Sequence, residues 1–379
     1  MGESAGVRYH YMDSMRAAMM VAGVFFHAAL VYRPAGYSWR VTDPSDLGFF
    51  VWLTESLHWF RMPAFFAVAG FFCAMTFGRD AGVRKLGSRL LVFGVPFAVM
   101  VCSLQALQYA FKLDFQGSFG GFDASFWRAY FRDGEFISHL WFLINLSIYY
   151  VAAWACVTLL RQRDYLRARV VTYAFRYKTA MTLVATVCCL PAIVLLRPLT
   201  IGDYGLSAAV QYAPFFVAGY AIFRHAHLLE EFRRPGVVDI ALTVALVALS
   251  YGDFTGPVGK IIDLLAFYQG GFVLTGLCML LFSSFFNSEN RLTRLISDSA
   301  YTIYLLHHIL VVMFATWAAR NLPEASAALK YSMVVGIVLA ITFAAHHLLV
   351  ARVSLARFLL NGRASFKLPR FLSPARQSA

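Results

Sequence analysis

Charged side chains are scarce in this sequence. Asp, Glu, Lys and Arg make up 14% of its 379 residues, whereas the apolar and aromatic residues counted together with Cys make up 60%. Soluble domains carry about 25% charged and about 45–50% apolar residues. The shortage of charge therefore excludes a water-soluble enzyme, a disordered chain and a DNA-binding domain, and it indicates a polytopic membrane protein.

Cysteine motifs of the metal-binding or redox type are also lacking. The sequence contains no CxxC and no His and Cys spacing typical of a zinc site. The six cysteines all lie in apolar runs: Cys73, Cys102, Cys156, Cys188, Cys189 and Cys278. Cysteines in such runs are typically small buried apolar side chains, so we expect no structural disulfide and no bound metal.

Long apolar runs, by contrast, are plentiful. A helix needs roughly 20 mostly apolar residues to cross the hydrocarbon core of a bilayer. Ten segments qualify: 14–32, 48–77, 90–111, 139–160, 179–196, 209–223, 237–251, 261–284, 299–319 and 330–350. The sequence predicts an all-α polytopic membrane protein with about ten transmembrane helices, formed by one domain over 1–350 and a short basic tail over 351–379.

The positive charge is distributed according to topology. With a cytoplasmic N-terminus, the inner segments hold 22 of the 33 Lys and Arg residues and the outer loops hold 9. Cytoplasmic loops of membrane proteins are enriched in Lys and Arg. The net charge of +13 therefore predicts that both termini are cytoplasmic, and it does not indicate a nucleic-acid partner.

The first span carries a cation and an imidazole on one face. Arg16 and His27 are eleven residues apart, which is three helical turns plus about 20°, and Asp13 falls on nearly the same stripe. Arg16 at the inner interface and His27 near the bilayer centre suit a long anionic ligand that reaches inward. The alternative is structural: Arg16 anchors the topology, and His27 bonds to a neighbouring helix.

The second span places Glu55, His58 and Arg61 at i, i+3 and i+6. Consecutive members of such a series are neighbours on a helix. They could form a buried salt-bridge ladder, or Glu55 could fix the tautomer of His58 within a functional site.

Three histidines are expected at one depth. His27, His58 and His308 lie nine or ten residues into their spans, near the midplane. Helix packing does not require histidines of three spans at one level, and ionisable groups inside a membrane usually mark function. We expect a shared polar site there. His139 and Trp141 are typical of an interfacial belt, and with His307 they are also our candidates for binding a substrate.

Five segments in chain order resemble the acyltransferase 3 family of membrane O-acyltransferases. They run from Tyr11 to Arg16 with His27, from Phe60 to Phe72, from His139 to Leu143, from Pro214 to Gly219 and from Ala300 to His308. The Arg-x10-His pair of the family maps onto Arg16 and His27. Within the family, the sequence is most similar to the branch that adds succinyl groups to periplasmic glucans, although Ala69 stands where many members have Ser.

The resemblance implies an O-acyltransferase of the bacterial inner membrane. Its co-substrate would be acyl-CoA, either succinyl-CoA or acetyl-CoA, and its acceptor would be a periplasmic glucan. Arg16, with Asp13 beside it, would bind the donor nucleotide. His27 would be the general base, and His58, Arg61 or His308 would stabilise the oxyanion, with Glu55 fixing the tautomer of His58. An acyl-histidine on His27 is a variant of this scheme. No cofactor would be bound permanently.

Two other readings of the sequence stay open. The same chemistry could acetylate an exopolysaccharide, an O-antigen or a lipid-linked glycan. A secondary transporter would also place ionisable groups at the midplane beside Pro63 and Pro214, although no inverted repeat supports it.

Overall fold

The computed structural model describes residues 9–37, 39–78, 81–159, 169–201, 204–252, 254–288 and 290–363. Fifteen α-helices account for most of them: α1 (His10–Val31), α2 (Phe49–Phe77), α3 (Val83–Val101), α4 (Leu104–Phe115), α5 (Ala124–Arg132), α6 (Trp141–Leu159), α7 (Arg169–Arg176), α8 (Lys178–Leu196), α9 (Leu206–Arg224), α10 (His227–Arg233), α11 (Val237–Ser250), α12 (Gly256–Phe285), α13 (Arg291–Asn321), α14 (Ala327–Ala345) and α15 (Ser354–Asn361). A 3₁₀ turn at Ser138–Leu140 precedes α6, and a π-helical turn at His346–Val350 extends α14. The described strands are β1 (Thr200–Ile201) and β2 (Tyr204–Gly205), which pair antiparallel.

Nine helical segments in the described part of the chain are long and apolar enough to cross a membrane. One of them joins α3 and α4 across a break at Cys102 and Ser103, and another joins α14 to its π-helical turn. The predicted all-α polytopic fold is confirmed. The described residues form one span fewer than the ten predicted, because the 14 residues of α11 extend only about 21 Å at 1.5 Å per residue.

The bundle has two faces, which we call lower and upper. The lower face carries the start of α1 and the end of α2, where Arg224 donates a hydrogen bond to the carbonyl of Gly78. The upper face carries the end of α1 and the loops 32–48 and 322–326, where Ser45 donates a hydrogen bond to the carbonyl of Ala325. These two faces define the ends from which ligands can approach.

A close helix crossing in the interior joins α2 and α9. A Cβ added to Gly219 would lie 1.7 Å from the carbonyl oxygen of Ala67, and one added to Gly70 would lie 1.9 Å from that of Phe216. Only glycine allows two backbones to approach this closely. The crossing fixes α2, and with it the side chains that α2 presents to α1 and α13.

The tail predicted over 351–379 is not separate from the bundle where it is described. α15, which lies in this tail, packs against α3. The remaining tail residues, 364–379, and the N-terminal residues 1–8 lie outside the described residues.

Candidate active site

Four histidine rings meet in the upper half of the bundle, and we call them the histidine cluster: His27 of α1, His139 of the 3₁₀ turn, and His307 and His308 of α13. The ring centroids of His27 and His308 are 4.5 Å apart, as are those of His139 and His308. His307 lies 5.2 Å from His27 and 5.3 Å from His139. Both histidines of α13 therefore face this site.

Hydrogen bonds fix the tautomers of the two α13 histidines. Nδ1 of His307 lies 2.6 Å from the carbonyl oxygen of Tyr304, and Nδ1 of His308 lies 2.6 Å from Oε1 of Gln108. Both partners are acceptors, because the amide nitrogen of Gln108 donates to the hydroxyl of Ser138. Each Nδ1 therefore carries a proton, and in its neutral form each ring presents a lone pair at Nε2.

His139 is held inward by a strained turn. Ser138 has φ of +41°, the only positive φ of a non-glycine residue in the described part of the chain. The hydroxyl of Tyr304 donates to the carbonyl of His139, and the amide of Gln105 lies 3.3 Å from its Nδ1. Backbone strain of this kind persists where the surroundings impose it, often at functional sites. His139 thus belongs to the interior rather than to an interfacial belt.

His27 itself makes no hydrogen bond to any described residue, and its Nδ1 is buried. Its ring is stacked on Trp39 of the upper loop at 5.9 Å and packs edge-on against Phe26 at 5.1 Å. An imidazole that is positioned by packing but uses neither nitrogen remains available to take a proton from a ligand.

The loop that carries Trp39 is fastened to the upper face by two ionic contacts. Asp43 and Lys330 form a fully buried pair at 2.6 Å. Glu135 accepts from Arg40 and from Lys112, the latter at 2.6 Å. Burial would raise the pKa of Glu135, but these two cations hold that pKa below its ordinary value. The carboxylate therefore stays ionised, and the loop keeps Trp39 over His27.

Arg61 lies beside the cluster as an unpaired cation. Its guanidinium packs over the ring of Phe26 at 4.6 Å, and no described residue forms an ion pair or hydrogen bond with it. A Cβ added to Gly23 would lie 3.2 Å from Nη1 of Arg61 and 3.6 Å from Nε2 of His307. A cation in the bundle interior is costly unless an anion compensates it, so this position suits an anionic ligand group.

The salt-bridge ladder that the spacing in α2 allows is not formed among the described residues. Among the described residues, no hydrogen bond, ion pair or ring contact involves Glu55 or His58, and His58 is exposed. Each step of three residues turns the side chain by about −60°, so Glu55 points about 120° away from Arg61. The expected trio of His27, His58 and His308 is therefore corrected, because His139 takes the place expected for His58.

A cavity of about 780 Å³ opens at the lower face. Arg16 and Asp13 line it and form an ion pair at 2.9 Å, and Arg16 also packs over Phe72 at 5.0 Å. Other lining residues come from α2, α3, α6, α13, the π-helical turn and the C-terminal segment, among them Phe65, Arg89, Phe142, Tyr150, Tyr301, His346, Arg357 and Arg363. The cavity joins a cationic mouth to an aromatic interior.

The inner end of the cavity lies one aromatic layer from the histidine cluster. Phe65 and Phe142 line the cavity and contact each other at 5.1 Å. Phe142 packs edge-on against Tyr304 at 4.2 Å, and Tyr304 contacts the rings of His139 and His307. From the lower to the upper face, the order is therefore Arg16, the aromatic layer, the histidine cluster and Trp39.

The remaining candidate, Trp141, lies outside the cluster. It is stacked on Tyr212 at 5.4 Å and contacts Phe66 at 6.0 Å.

Sequence reasoning missed Gln105, Gln108 and Trp39. The two glutamines, both buried and in a span, were detectable, because polar side chains in apolar helices usually bind one another. Within the described residues, no three His, Cys, Asp or Glu side chains are arranged to hold a metal ion.

The comparison with protein families decides the assignment. The acyltransferase 3 profile, described as an acyltransferase domain, matches residues 9–347. The chain belongs to the acyltransferase 3 family. As an acyltransferase 3 protein with nine apolar spans among its described residues, it is a multi-pass membrane O-acyltransferase, and the predicted resemblance is confirmed.

Curated relatives cover nearly the whole chain. It is 23% identical to the glucans biosynthesis protein C of Salmonella paratyphi A (strain ATCC 9150 / SARB42) over 95% of this chain and 96% of that protein. It is 24% identical to the protein of the same name from Salmonella heidelberg (strain SL476), with the same coverage. No solved structure gives a significant match.

Four of the five segments that resemble the acyltransferase 3 family contribute residues to the site. Arg16 and Phe65 line the cavity, and His139 and His308 belong to the cluster. The fifth segment, Pro214 to Gly219, forms the crossing of α9 with α2.

Proposed function

We propose that this O-acyltransferase transfers a succinyl group from acyl-CoA at the lower face to a hydroxyl group of a glucan at the upper face, with His27 as general base. The proposal rests on one observation: a cavity with a cationic mouth lies directly beneath the histidine cluster. The glucan acceptor is supported by the name of the curated relatives.

The lower face is the cytoplasmic one in this proposal. It carries the basic segments that the charge distribution places inside, which puts both termini in the cytoplasm of a bacterium and the protein in its inner membrane. The nucleotide of the donor would occupy the mouth of the cavity at Arg16. The pantetheine arm would extend past Phe65 and Phe142, which must move apart to bring the thioester to His27.

The reaction needs one group that accepts a proton and one hydrogen-bond donor that stabilises the oxyanion. His27 takes the proton as the sugar oxygen attacks the thioester carbonyl, and it returns the proton to the CoA sulfur when the C–S bond breaks. His308 in its neutral tautomer presents only a lone pair, and His58 lies apart from the cluster. The sequence predicted three candidates for donating a hydrogen bond to the oxyanion. Of these, Arg61 is the one with N–H groups available beside the cluster.

The unpaired charge of Arg61 also favours a dicarboxylic acyl group. Gly23, which lies beside Arg61, precedes His27 by four residues, or about 6 Å along α1. A succinyl carboxylate on Arg61 would leave the thioester carbonyl close to His27. The acetyl group has no such anion and would leave the guanidinium uncompensated.

Replacing Arg61 with glutamine is expected to change donor preference. Turnover should fall with both donors, because the oxyanion loses a hydrogen bond in either case. With succinyl-CoA it should fall about tenfold or more further than with acetyl-CoA, since only the succinyl group has a carboxylate for Arg61 and hydrogen bonds to charged groups contribute about 1.5–3 kcal/mol. Steady-state rates with the two donors and one glucan measure the ratio. An equal loss with both donors would assign Arg61 to the oxyanion alone and would contradict the succinyl assignment.

Replacing Arg16 with alanine is expected to act on donor binding. The variant should raise the KM for acyl-CoA about tenfold or more with a smaller effect on kcat, because it removes a charged contact made before the chemical step. Calorimetry with CoA and initial-rate kinetics check this. Unchanged CoA affinity would refute the assignment of Arg16 to the donor site.

The function is tested directly by the release of CoA. Detergent-purified protein is offered succinyl-CoA or acetyl-CoA with and without β-glucan, and a thiol reagent reports free CoA. The proposal predicts release that requires the glucan and is faster with succinyl-CoA. Absence of release with both donors and a panel of glycans would contradict it.

A further inference from the structure

The C-terminal helix is docked onto α3 through a glycine contact. Gly362 ends α15 with φ of +61°. A Cβ at this position would lie 2.3 Å from the carbonyl oxygen of Leu91 and 2.4 Å from Cα of Val92. Both the positive φ and the close approach require glycine. The contact therefore fixes the end of α15 against the middle of α3.

This docking brings cationic side chains of distant segments to one cavity. Arg363 follows Gly362 directly, and Arg89 lies two residues before Leu91. Both line the mouth of the 780 Å³ cavity with Arg16 and Arg357. The acidic residues of the lining are Asp13 and Asp298, so the mouth has two more positive than negative charges.

Two of these four arginines lack a partner. Arg16 is paired with Asp13, and Arg357 donates to the carbonyls of Val350 and Ala351. Arg89 and Arg363 form no ion pair or hydrogen bond with any described residue, although Arg89 is half-buried. Guanidinium groups that share a cavity without acidic partners repel one another, and a bound phosphate relieves this repulsion through bidentate hydrogen bonds.

We propose that Arg89 and Arg363, brought together when α15 docks onto α3, bind the phosphate groups of the acyl-CoA nucleotide, so that the C-terminal helix is a wall of the donor site. This inference rests on the proposed function. Arg363 lies beyond the residues matched by the family profile, which end at 347, whereas Arg89 lies within them. The π-helical turn at His346–Val350, a feature common at functional sites, redirects the chain from α14 into this wall.

Donors with and without phosphate separate this inference from the proposed function. The probes are succinyl-CoA, and succinyl-pantetheine, which has the same thioester and arm but no phosphate. Arg89→Gln and Arg363→Gln should each raise the KM for succinyl-CoA about tenfold or more, as expected for loss of a charged hydrogen bond. The KM for succinyl-pantetheine should not change. Gly362→Ala should weaken succinyl-CoA in the same way, because it displaces Arg363.

The matched control is Arg84→Gln. Arg84 is an exposed arginine of α3 that does not line the cavity, and its replacement should leave both KM values unchanged. Thermal unfolding verifies that each variant is folded. Equal effects on the two donors, or none, would overturn the inference. Failure of wild-type protein with both donors would instead overturn the proposed function.

A lipid headgroup is the other source of phosphate at this face. Binding of adenosine 3′,5′-bisphosphate is therefore measured in phosphatidylcholine nanodiscs and in nanodiscs that contain phosphatidylglycerol. The inference predicts that Arg89→Gln and Arg363→Gln weaken nucleotide binding about tenfold in phosphatidylcholine. The opposite result is that both variants bind the nucleotide normally in phosphatidylcholine but are no longer stabilised against unfolding by phosphatidylglycerol. In that case a lipid occupies the site at Arg89 and Arg363, and the inference is wrong.

Discussion

Replacement of His27 by alanine is expected to lower acyl transfer by about 10²–10⁴-fold, the usual contribution of a positioned general base. The protein should still fold, because His27 makes no hydrogen bond to a described residue. CoA binding should persist as well, because Arg16 and the cavity lie below the aromatic layer. Single-turnover transfer to glucan and CoA calorimetry on the same preparation measure both quantities.

The matched control is His58→Ala. It removes an imidazole from the neighbouring span, but His58 is exposed and has no ring contact with the histidine cluster. We expect its transfer rate to stay close to that of wild type. Transfer by His27→Ala within about tenfold of wild type, below the usual range for a general base, would remove His27 from this role. A large loss in His58→Ala alone would favour the arrangement predicted from sequence.

Replacement of Gly219 by alanine is expected to have the largest effect on stability. The added methyl group would lie 1.7 Å from the carbonyl oxygen of Ala67, and two backbones must separate to admit it. Overpacking of interiors typically costs about 1–3 kcal/mol and sometimes more, and we expect the upper part of that range. Thermal unfolding in detergent measures the loss, and because α2 carries Arg61, transfer should decline with it.

The control for this change is Gly336→Ala in α14, where an added Cβ meets nothing within 4 Å. Alanine is favoured over glycine in a helix by about 1 kcal/mol, so this variant should be as stable as wild type or slightly more stable. If Gly219→Ala unfolds at the wild-type temperature, the close crossing of α2 and α9 does not exist as described.

Hydropathy predicted the spans because a chain segment in lipid must make its backbone hydrogen bonds internally, so that each long apolar run forms a helix. It also placed Arg16, His27 and His308 on helices of the correct length. It could not place His139, because its inward position depends on the positive φ of Ser138 and on the hydroxyl of Tyr304. The hydrogen bond from Tyr304 to His139 joins segments more than 160 residues apart, and no local sequence pattern indicates it.

The arrangements of α2 and of the C-terminal segment both depend on contacts that the sequence does not specify. The spacing of Glu55, His58 and Arg61 determines which residues are neighbours on one helix, but not which direction faces the bundle. The position of Arg61 is set instead by Gly23 and Phe26 of α1. In the sequence, Arg357 and Arg363 are only basic residues of a short tail, whereas in the structure both line the cavity.

The central claim is that one molecule takes its donor from one side of the membrane and its acceptor from the other. Proteoliposomes separate the two sides, with labelled succinyl-CoA outside and β-glucan either outside or trapped within. Whatever the orientation of insertion, the account predicts labelled glucan only when donor and acceptor are on opposite sides, and none with His27→Ala. Labelling with both substrates on the same side of intact vesicles, and none across the membrane, would contradict it.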